Sequence, residues 1–271
     1  MKESKVAILG GGNIGLAIIN GLTGSEICLP QNISITRRDI KPIAYLKKQK
    51  INVSSDNVNA VKRSTIILIA VQPQQINGIL DEIKEYIKPE IHTVISVVSG
   101  ASISAIKKRL PAGTPVVRAM PNTAIALKES MTCLSSEDGN DKALKHAVEI
   151  FNAVGKTMVI NEELMIPATA LCACGIAFFL RAIRAASQGG IEIGFHSEEA
   201  LLMASQTAKG AATLLLGMKS HPESEVDKVT TPRGCTISGL NQMEHNGFSS
   251  AMIKGIVTSA DKAALLYKGT E

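Results

Sequence analysis

The chain has 271 residues, enough for one large domain or two smaller ones around a sizeable core. Apolar residues make up 45% of it, aromatics only 3%, and there is no Trp, which excludes an aromatic-lined carbohydrate or nucleic-acid surface and predicts helices packed through small side chains. The net charge of +5 is a mild excess. Its short basic runs, Lys47-Lys48 with Lys50 and Lys107-Lys108-Arg109, carry no interleaved aromatics and read as solvated helix faces, so no nucleic-acid partner is expected.

The first predicted element is a strand over 5–9. It runs into Gly10, Gly12 and Gly15 at G-x-G-x-x-G spacing, and a helix is predicted over 13–23. A strand, a tight glycine turn and a helix start form a dinucleotide fingerprint: bare backbone approaches the pyrophosphate, and the helix N-terminus offers unpaired N–H groups and a favourable dipole. The second strand, 32–36, ends in Thr36-Arg37-Arg38. An NAD site carries Asp or Glu about 20 residues after the glycines, whereas a hydroxyl followed by two guanidiniums suits a 2′-phosphate. NADP(H) is therefore expected, although Asp39 follows directly. NADH use stays open.

Helices are predicted over 41–49, 74–87, 102–109 and 140–154, and strands over 65–71, 91–97, 115–118, 131–134 and 157–159. This alternation predicts a Rossmann-type α/β domain over 1–160, a parallel sheet with helices on both faces. The run Ile66–Val71 has the continuous apolar character of a central strand. Strand ends face the cofactor crevice in such sheets, so Val71-Gln72-Pro73-Gln74 and Arg118-Ala119-Met120-Pro121-Asn122-Thr123 are candidate cofactor loops. Ordinary turn chemistry also places Pro, amides and hydroxyls there.

Beyond residue 160 no strand is predicted. Helices over 163–190, 197–218, 235–246 and 249–268 form an all-α domain, 161–271. Leu164 to Leu180 is almost wholly apolar or small, but it falls short of about 20 residues, contains Pro167 and Thr169 and runs into Arg181 and Arg184. It reads as a helix buried on nearly all sides in a soluble protein, not a membrane span. One chain struggles to cover a helix apolar around most of its circumference, so a homodimer through these helices is expected. Within this domain Val229-Thr230-Thr231-Pro232-Arg233-Gly234-Cys235-Thr236 precedes a helix start. Backbone N–H groups should converge there on a small carboxylate, with Thr231 and Thr236 as added donors, or the hydroxyls serve only as caps.

The five histidines, His92, His146, His196, His221 and His245, sit singly and supply no evident general base. Reduction of a protonated C=N needs none, because the bond is already electrophilic and a hydroxyl can orient or relay the proton. The five cysteines are odd in number with no C-x-x-C pair, which argues against a disulfide framework or metal knuckle and fits a reducing cytoplasm. Met1-Lys2-Glu3-Ser4-Lys5 enters a strand directly, so no signal peptide is expected.

In this order, Gly10–Gly15, Ala70-Val71-Gln72-Pro73-Gln74, Val117–Thr123, Gly189-Gly190 with Gly194, His221-Pro222 and Val229–Leu240 followed by Glu244 and Gly247-Phe248 resemble the pyrroline-5-carboxylate reductase family over essentially the whole chain. The resemblance implies reduction of 1-pyrroline-5-carboxylate to L-proline with NADPH or NADH, an interlocked C-terminal homodimer, and dimers assembled into a decamer. It places cofactor contacts on Gly12, Asn13, Ile14, Thr36, Arg37, Asn57, Ala70, Val71, Gln72 and Pro73, and sets Met120, Pro121 and Asn122 by the nicotinamide. It puts the substrate carboxylate on Gly234, Cys235 and Thr236, with the Thr236 hydroxyl nearest the ring nitrogen as the catalytic group.

Two departures stand out. The family has Gly-Gly where this chain has Arg233-Gly234, so a positive φ there would strain the arginine. Otherwise Arg233 adds charge beside the carboxylate. The family's Ser-Gly-Ser-Gly-Pro-Ala-Tyr becomes Cys172-Ala173-Cys174-Gly175-Ile176-Ala177-Phe178, which predicts a straighter helix with fewer hydroxyls near the site. Two alternatives are a reductase of another cyclic imino acid and a non-catalytic dinucleotide-binding paralogue.

Overall fold

The computed structural model describes residues 2–137, 141–218 and 220–268. Residue 140, where the fifth helix is expected to begin, lies outside them. The described residues form two compact units, Met1–Ala173 with Ala260–Glu271, and Cys174–Ser259.

In the first unit, eight strands among the described residues make one sheet. They are β1 (Val6–Leu9), β2 (Ile33–Thr36), β3 (Asn52–Ser54), β4 (Ile66–Ile69), β5 (Thr93–Ser96), β6 (Val116–Met120), β7 (Ser130–Ser136) and β8 (Gly155–Val159). Their order is β3-β2-β1-β4-β5-β6-β7-β8. The sheet is parallel from β3 to β6, as expected. β7 runs antiparallel to β6, which departs from the all-parallel expectation, and β8 is parallel to β7. The short connection explains the reversal: residues 121–129 hold one turn of 3₁₀ helix, too little for a crossover that would return the chain to the opposite edge.

Period-2 alternation sorts side chains into two apolar layers. Val6, Ile8, Ile66 and Leu68 face one layer with α1 (Asn13–Gly24) and α5 (Asp141–Asn152). Ala7, Leu9, Ile67 and Ile69 face the other, with α2 (Asn57–Lys62), α3 (Ile76–Ile83) and α4 (Ile103–Lys107). Because both faces are covered, these strands read as continuous apolar runs. Each buried Ile or Leu contributes about 1.5–3 kcal/mol by leaving water. α1 packs closely because Gly21 leaves room: a Cβ there would strike the Val154 side chain. β3 went unpredicted because it is three residues long, half-buried and polar at both ends, an edge strand with no apolar run.

His92, at the entrance to β5, is buried, and its Nδ1 accepts a hydrogen bond from the Lys88 N–H at 2.9 Å. Burial lowers its pKa below the ordinary 6.5, Lys88 adds to that, and a backbone bond to Ser64 and Glu90 oppose it. The fold therefore prefers neutral imidazole. That contribution to stability is complete above about pH 6.5 and is lost as pH falls below the unfolded value toward the folded one. Burial lowers His146 on α5 likewise. Urea midpoints should fall below pH 6.5 in the native chain and fall less steeply in His92→Gln; identical pH slopes would remove His92 from this account.

The helical stretch opens with α6 (Met165–Ala168) in the first unit. A π-helical turn, Thr169–Cys174, follows, so the straight helix expected from the missing proline is instead broken by a wide turn. The second unit holds α7 (Gly175–Glu192), α8 (Ser197–Met218), α9 (Pro222–Lys228), α10 (Cys235–His245) and the first part of α11 (Phe248–Lys268). Gly190 lets α7 and α8 approach until a Cβ there would press on Ala200 Cβ at 3.0 Å. α9 was not predicted, although its capping signature is in the sequence: His221 caps it, Pro222 opens it, and Glu223 and Glu225 occupy its first turn.

Glu162–Glu192 is the one stretch among the described residues long and apolar enough to cross a membrane, by length and composition alone. The chain itself buries little of it; Phe179 and Leu180 are 61% and 59% exposed. The expectation of a helix buried on nearly all sides fails for a single chain: α7 packs on α8, and much of its apolar surface stays exposed.

Candidate active site

Register fixes where the crevice lies. Leu9 pairs with Thr36 on one side and Ile69 on the other, so β1, β2 and β4 end level. Strand order reverses between β1 and β4, and the crevice beyond such a switch point is where open α/β sheets take ligands. A cavity of about 770 Å³ lies there. Of the residues singled out from the sequence, Gly10, Gly12, Thr36, Arg37, Arg38, Asn57, Ala70, Val71 and Gln72 line it.

The glycine turn has the form a dinucleotide requires. Gly10 has φ +121°, and a Cβ on it would collide with the Ala70 carbonyl. A Cβ on Gly15 would collide with the Gly10 carbonyl beneath it. Gly12 differs: no protein atom lies within 4 Å of where its Cβ would stand. Gly12 is also the N-cap of α1, which has no side-chain cap and no acidic residue in its first turn. The first-turn N–H groups, those of Asn13 and Ile14 among them, therefore face a bare approach suited to an anion. These residues fit a dinucleotide pyrophosphate.

The crevice wall beside β2 is built by three linked side chains. The Thr36 hydroxyl donates to Asn57 Oδ1 at 2.6 Å, and Asn57 Nδ2 donates to Glu82 Oε2 at 2.8 Å. Thr36 thus spends its one proton on Asn57 and can only accept from a ligand, which leaves the phosphate-donating role to the arginines. Arg37 Nη1 donates to the Gly11 carbonyl at 2.8 Å, holding its guanidinium against the turn. Asp39, which weakened the NADP expectation, accepts from the Lys41 N–H at 3.0 Å and so caps the following turn.

Ser55, Gln75, Gly78, Ile79 and Glu82 also line the cavity and were not foreseen. Four of them were legible: Gln75, Gly78, Ile79 and Glu82 are spaced i, i+3, i+4, i+7, one face of a helix leaving the Val71-Gln72-Pro73 loop. Gly11 was passed over too, although Arg37 Cβ and Ile43 Cδ1 crowd its Cβ position at 3.2 and 3.0 Å.

Pro73 opens a 3₁₀ turn capped by Gln72 and Gln75. Met120 and Asn122 are buried at the end of β6, flanking Pro121. Asn122 is heavily bonded: its Oδ1 accepts from the Ala124 N–H, its Nδ2 donates to the Cys172 carbonyl, and its N–H donates to Ser130 Oγ, each at 3.1 Å. Its side chain sets the loop's shape. Arg118, buried in β6, reaches Glu162 Oε1 at 3.3 Å, and that oxygen also accepts from the Ile103 N–H at 2.7 Å.

In the second unit, the Gly234 N–H donates to the Thr231 carbonyl at 2.9 Å, closing a turn over 231–234. Gly234 then caps α10, whose first residues are Cys235 and Thr236. A Cβ on Gly234 would collide with the Thr231 hydroxyl. Thr231 and Cys235 are exposed and Thr236 half-exposed. The turn therefore presents main-chain N–H groups at the start of an 11-residue helix, the arrangement expected for a carboxylate.

Arg233 sits at φ +61°, in the left-handed region, so the strained branch of the two expectations holds. That conformation costs a non-glycine residue about 1–2 kcal/mol. Arg233→Gly should therefore stabilise the fold by about 0.5–1 kcal/mol in denaturant titrations, after the extra chain entropy of glycine is subtracted. A loss of stability would show that the guanidinium has contacts worth more than the strain.

Comparison with known proteins follows the same division. Residues 5–100 match the family described as NADP oxidoreductase coenzyme F420-dependent, and residues 162–266 match pyrroline-5-carboxylate reductase dimerisation. Pyrroline-5-carboxylate reductase 1 of Dictyostelium discoideum is 55% identical over 98% of this chain, which spans only 50% of that protein's length. Pyrroline-5-carboxylate reductase 2 of the same organism is 47% identical, with 97% of this chain and 94% of that one covered. Among solved structures, the pyrroline-5-carboxylate reductase of Coxiella burnetii aligns with TM-score 0.92 at 28% identity, covering 97% of this chain and 98% of its own. The pyrroline carboxylate reductase of Plasmodium falciparum, solved with NADP bound, aligns with TM-score 0.85 at 25% identity, covering the same shares.

Proposed function

The chain belongs to the pyrroline-5-carboxylate reductase family, and we propose that it reduces 1-pyrroline-5-carboxylate to L-proline with NADPH as the preferred donor. The observation that carries this reading is the uncapped glycine turn at the start of α1, with Arg37 and Arg38 on the wall of the same cavity. When bound, the dinucleotide supplies a hydride to the carbon of the C=N bond.

The chain's own residues do the rest. Main-chain N–H groups after Gly12 hold the pyrophosphate, and Gly10 and Gly15 let the turn close tightly enough to present them. Arg37 and Arg38 take the 2′-phosphate through charge-assisted bonds. Thr36 and Asn57 accept from ribose hydroxyls, and Ala70 to Pro73 with Met120 to Asn122 line the nicotinamide end. The N–H groups of Gly234, Cys235 and Thr236, with Thr231 beside them, hold the substrate carboxylate. The Thr236 hydroxyl orients or relays the proton at the ring nitrogen. We assign the cofactor to 1–160 and the substrate and dimerisation to 161–271. The exposed apolar side chains of α7 and α8, which include Leu180, Leu202 and Leu216, support a homodimer through these helices, with dimers assembling into a decamer, rather than insertion into a membrane. The free thiols support a cytoplasmic location.

Cofactor oxidation measured in parallel with five- and six-membered cyclic imino acids tests the reading. It predicts much the higher kcat/KM for the five-membered ring. A preference for the larger ring would make the chain a reductase of that imino acid, and no turnover with either would end the enzymatic reading.

A further inference from the structure

The first unit holds a cluster of sulfur side chains at the end of β6. Met120 at the end of β6, Cys133 in β7 and Met165 in α6 are buried together, and Cys172 in the π-helical turn packs against them, partly exposed. The two thiols, 39 positions apart in the chain, meet there. Cys133 is buried and Cys172 half-buried, so only Cys172 is open to a reagent from solvent.

Burial makes the pair unequal, and charge follows the same order. The neighbouring Cys133 sulfur lowers the Cys172 pKa below the ordinary thiol value, against the effect of burial. The neighbouring Cys172 sulfur, together with burial, raises that of Cys133. The reachable sulfur is thereby also the more readily ionised one, and the other is a sheltered thiol. The nucleophile in thiol oxidation is the thiolate, and a resolving thiol in contact diverts its first oxidation product to a disulfide. Cys28 shows the contrast: it is buried, its thiol donates to the Ser4 carbonyl, and burial pushes its pKa up to about 11. The π-helical turn also gives Cys172 a backbone wider than an α-helix, a feature often found where a helix must adjust.

We propose that Cys133 and Cys172 form a peroxide-responsive dithiol, with Cys172 the attacking sulfur and Cys133 the resolving one. The oxidant is a hydroperoxide. The Cys172 thiolate attacks one peroxide oxygen and the O–O bond breaks. The departing oxygen leaves as water or an alcohol after taking a proton, and Cys172 becomes a sulfenic acid, oxidised by two electrons. The Cys133 sulfur then attacks the Cys172 sulfur. The S–S bond forms, the S–O bond breaks, and the oxygen leaves as water carrying the Cys133 proton. In total two thiols and one hydrogen peroxide give one disulfide and two waters.

A disulfide holds its two sulfurs about 2.05 Å apart, well inside the contact distance of two packed thiols, so the π-helical turn must shift toward β7. The Cys172 carbonyl, which accepts from Asn122 Nδ2 at 3.1 Å, moves with it. Oxidation should therefore slow the reductase by disturbing the Met120–Asn122 loop; this consequence, unlike the disulfide itself, rests on the proposed function.

The test treats the reduced full-length chain with stoichiometric hydrogen peroxide and maps its peptides without reduction. The expected product is a cross-linked peptide pair containing Cys133 and Cys172, with two hydrogens lost and both regained in dithiothreitol. Cys133→Ala should stop at a Cys172 sulfenic acid captured by dimedone, and unoxidised Cys133→Ala should retain native activity. Cys172→Ser should yield neither product. Cross-linking of any other pair, or full alkylation of both thiols after peroxide, would overturn the proposal. Disulfide formation in a chain that never turns over imino acid would leave the dithiol standing and remove the reductase reading, so the two failures are distinct.

Discussion

Replacing Arg37 and Arg38 together by Ala will weaken NADPH binding by about 100-fold or more and NADH binding by only a few-fold. The expectation follows from geometry and charge. Both arginines line the cavity beyond β1 and β4, and Thr36 has already committed its proton to Asn57. A hydrogen bond to a charged group is worth about 1.5–3 kcal/mol, and each 1.4 kcal/mol is tenfold in affinity. NADH lacks the 2′-phosphate and loses none of this. The single variants should separate. Arg37→Ala also frees the Gly11 carbonyl and loosens the turn, so it should weaken both cofactors somewhat. Arg38→Ala should act on NADPH alone. Titration of each cofactor by nicotinamide fluorescence reads the difference, and equal losses for NADPH and NADH would mean that these guanidiniums do not hold the phosphate.

Thr236→Ala should lower kcat by about 100-fold or more while leaving the dissociation constant for NADPH nearly unchanged. A positioned proton donor or acceptor contributes typically 10²–10⁴-fold. Thr236 is the second residue of α10, so alanine keeps its N–H and the helix start and removes only the hydroxyl. Thr236→Ser should restore most of the rate, because serine places a hydroxyl at the same atom. A rate within threefold of the native value would remove Thr236 from the chemistry and leave the carboxylate to the main-chain N–H groups alone.

The fold class was legible because the signals were local. Gly10, Gly12 and Gly15 mark a turn that few other structures need, and Ile66–Ile69 shows the continuous apolar run of a strand covered on both faces. Family membership was legible in Met120-Pro121-Asn122-Thr123 and in Thr231-Pro232 followed by Gly234 and Thr236. What escaped depends on partners distant in the chain. β3 exists because Ile35 and Val53 pair across a sheet edge, not because of its own composition. The committed direction of the Thr36 hydroxyl comes from Glu82, 46 positions later, and the meeting of Cys133 with Cys172 depends on how α6 and the π-helical turn lie on β7. The strain at Arg233 was visible only as a conditional, since a sequence shows the residue and not its φ.

Reaction of 1-pyrroline-5-carboxylate with NADPH deuterated at the transferred position of its nicotinamide tests the account at its centre. Recovered L-proline should carry one deuterium on the former imine carbon, formed in step with NADP. Proline without the label, or consumption of NADPH with no proline formed, would contradict it.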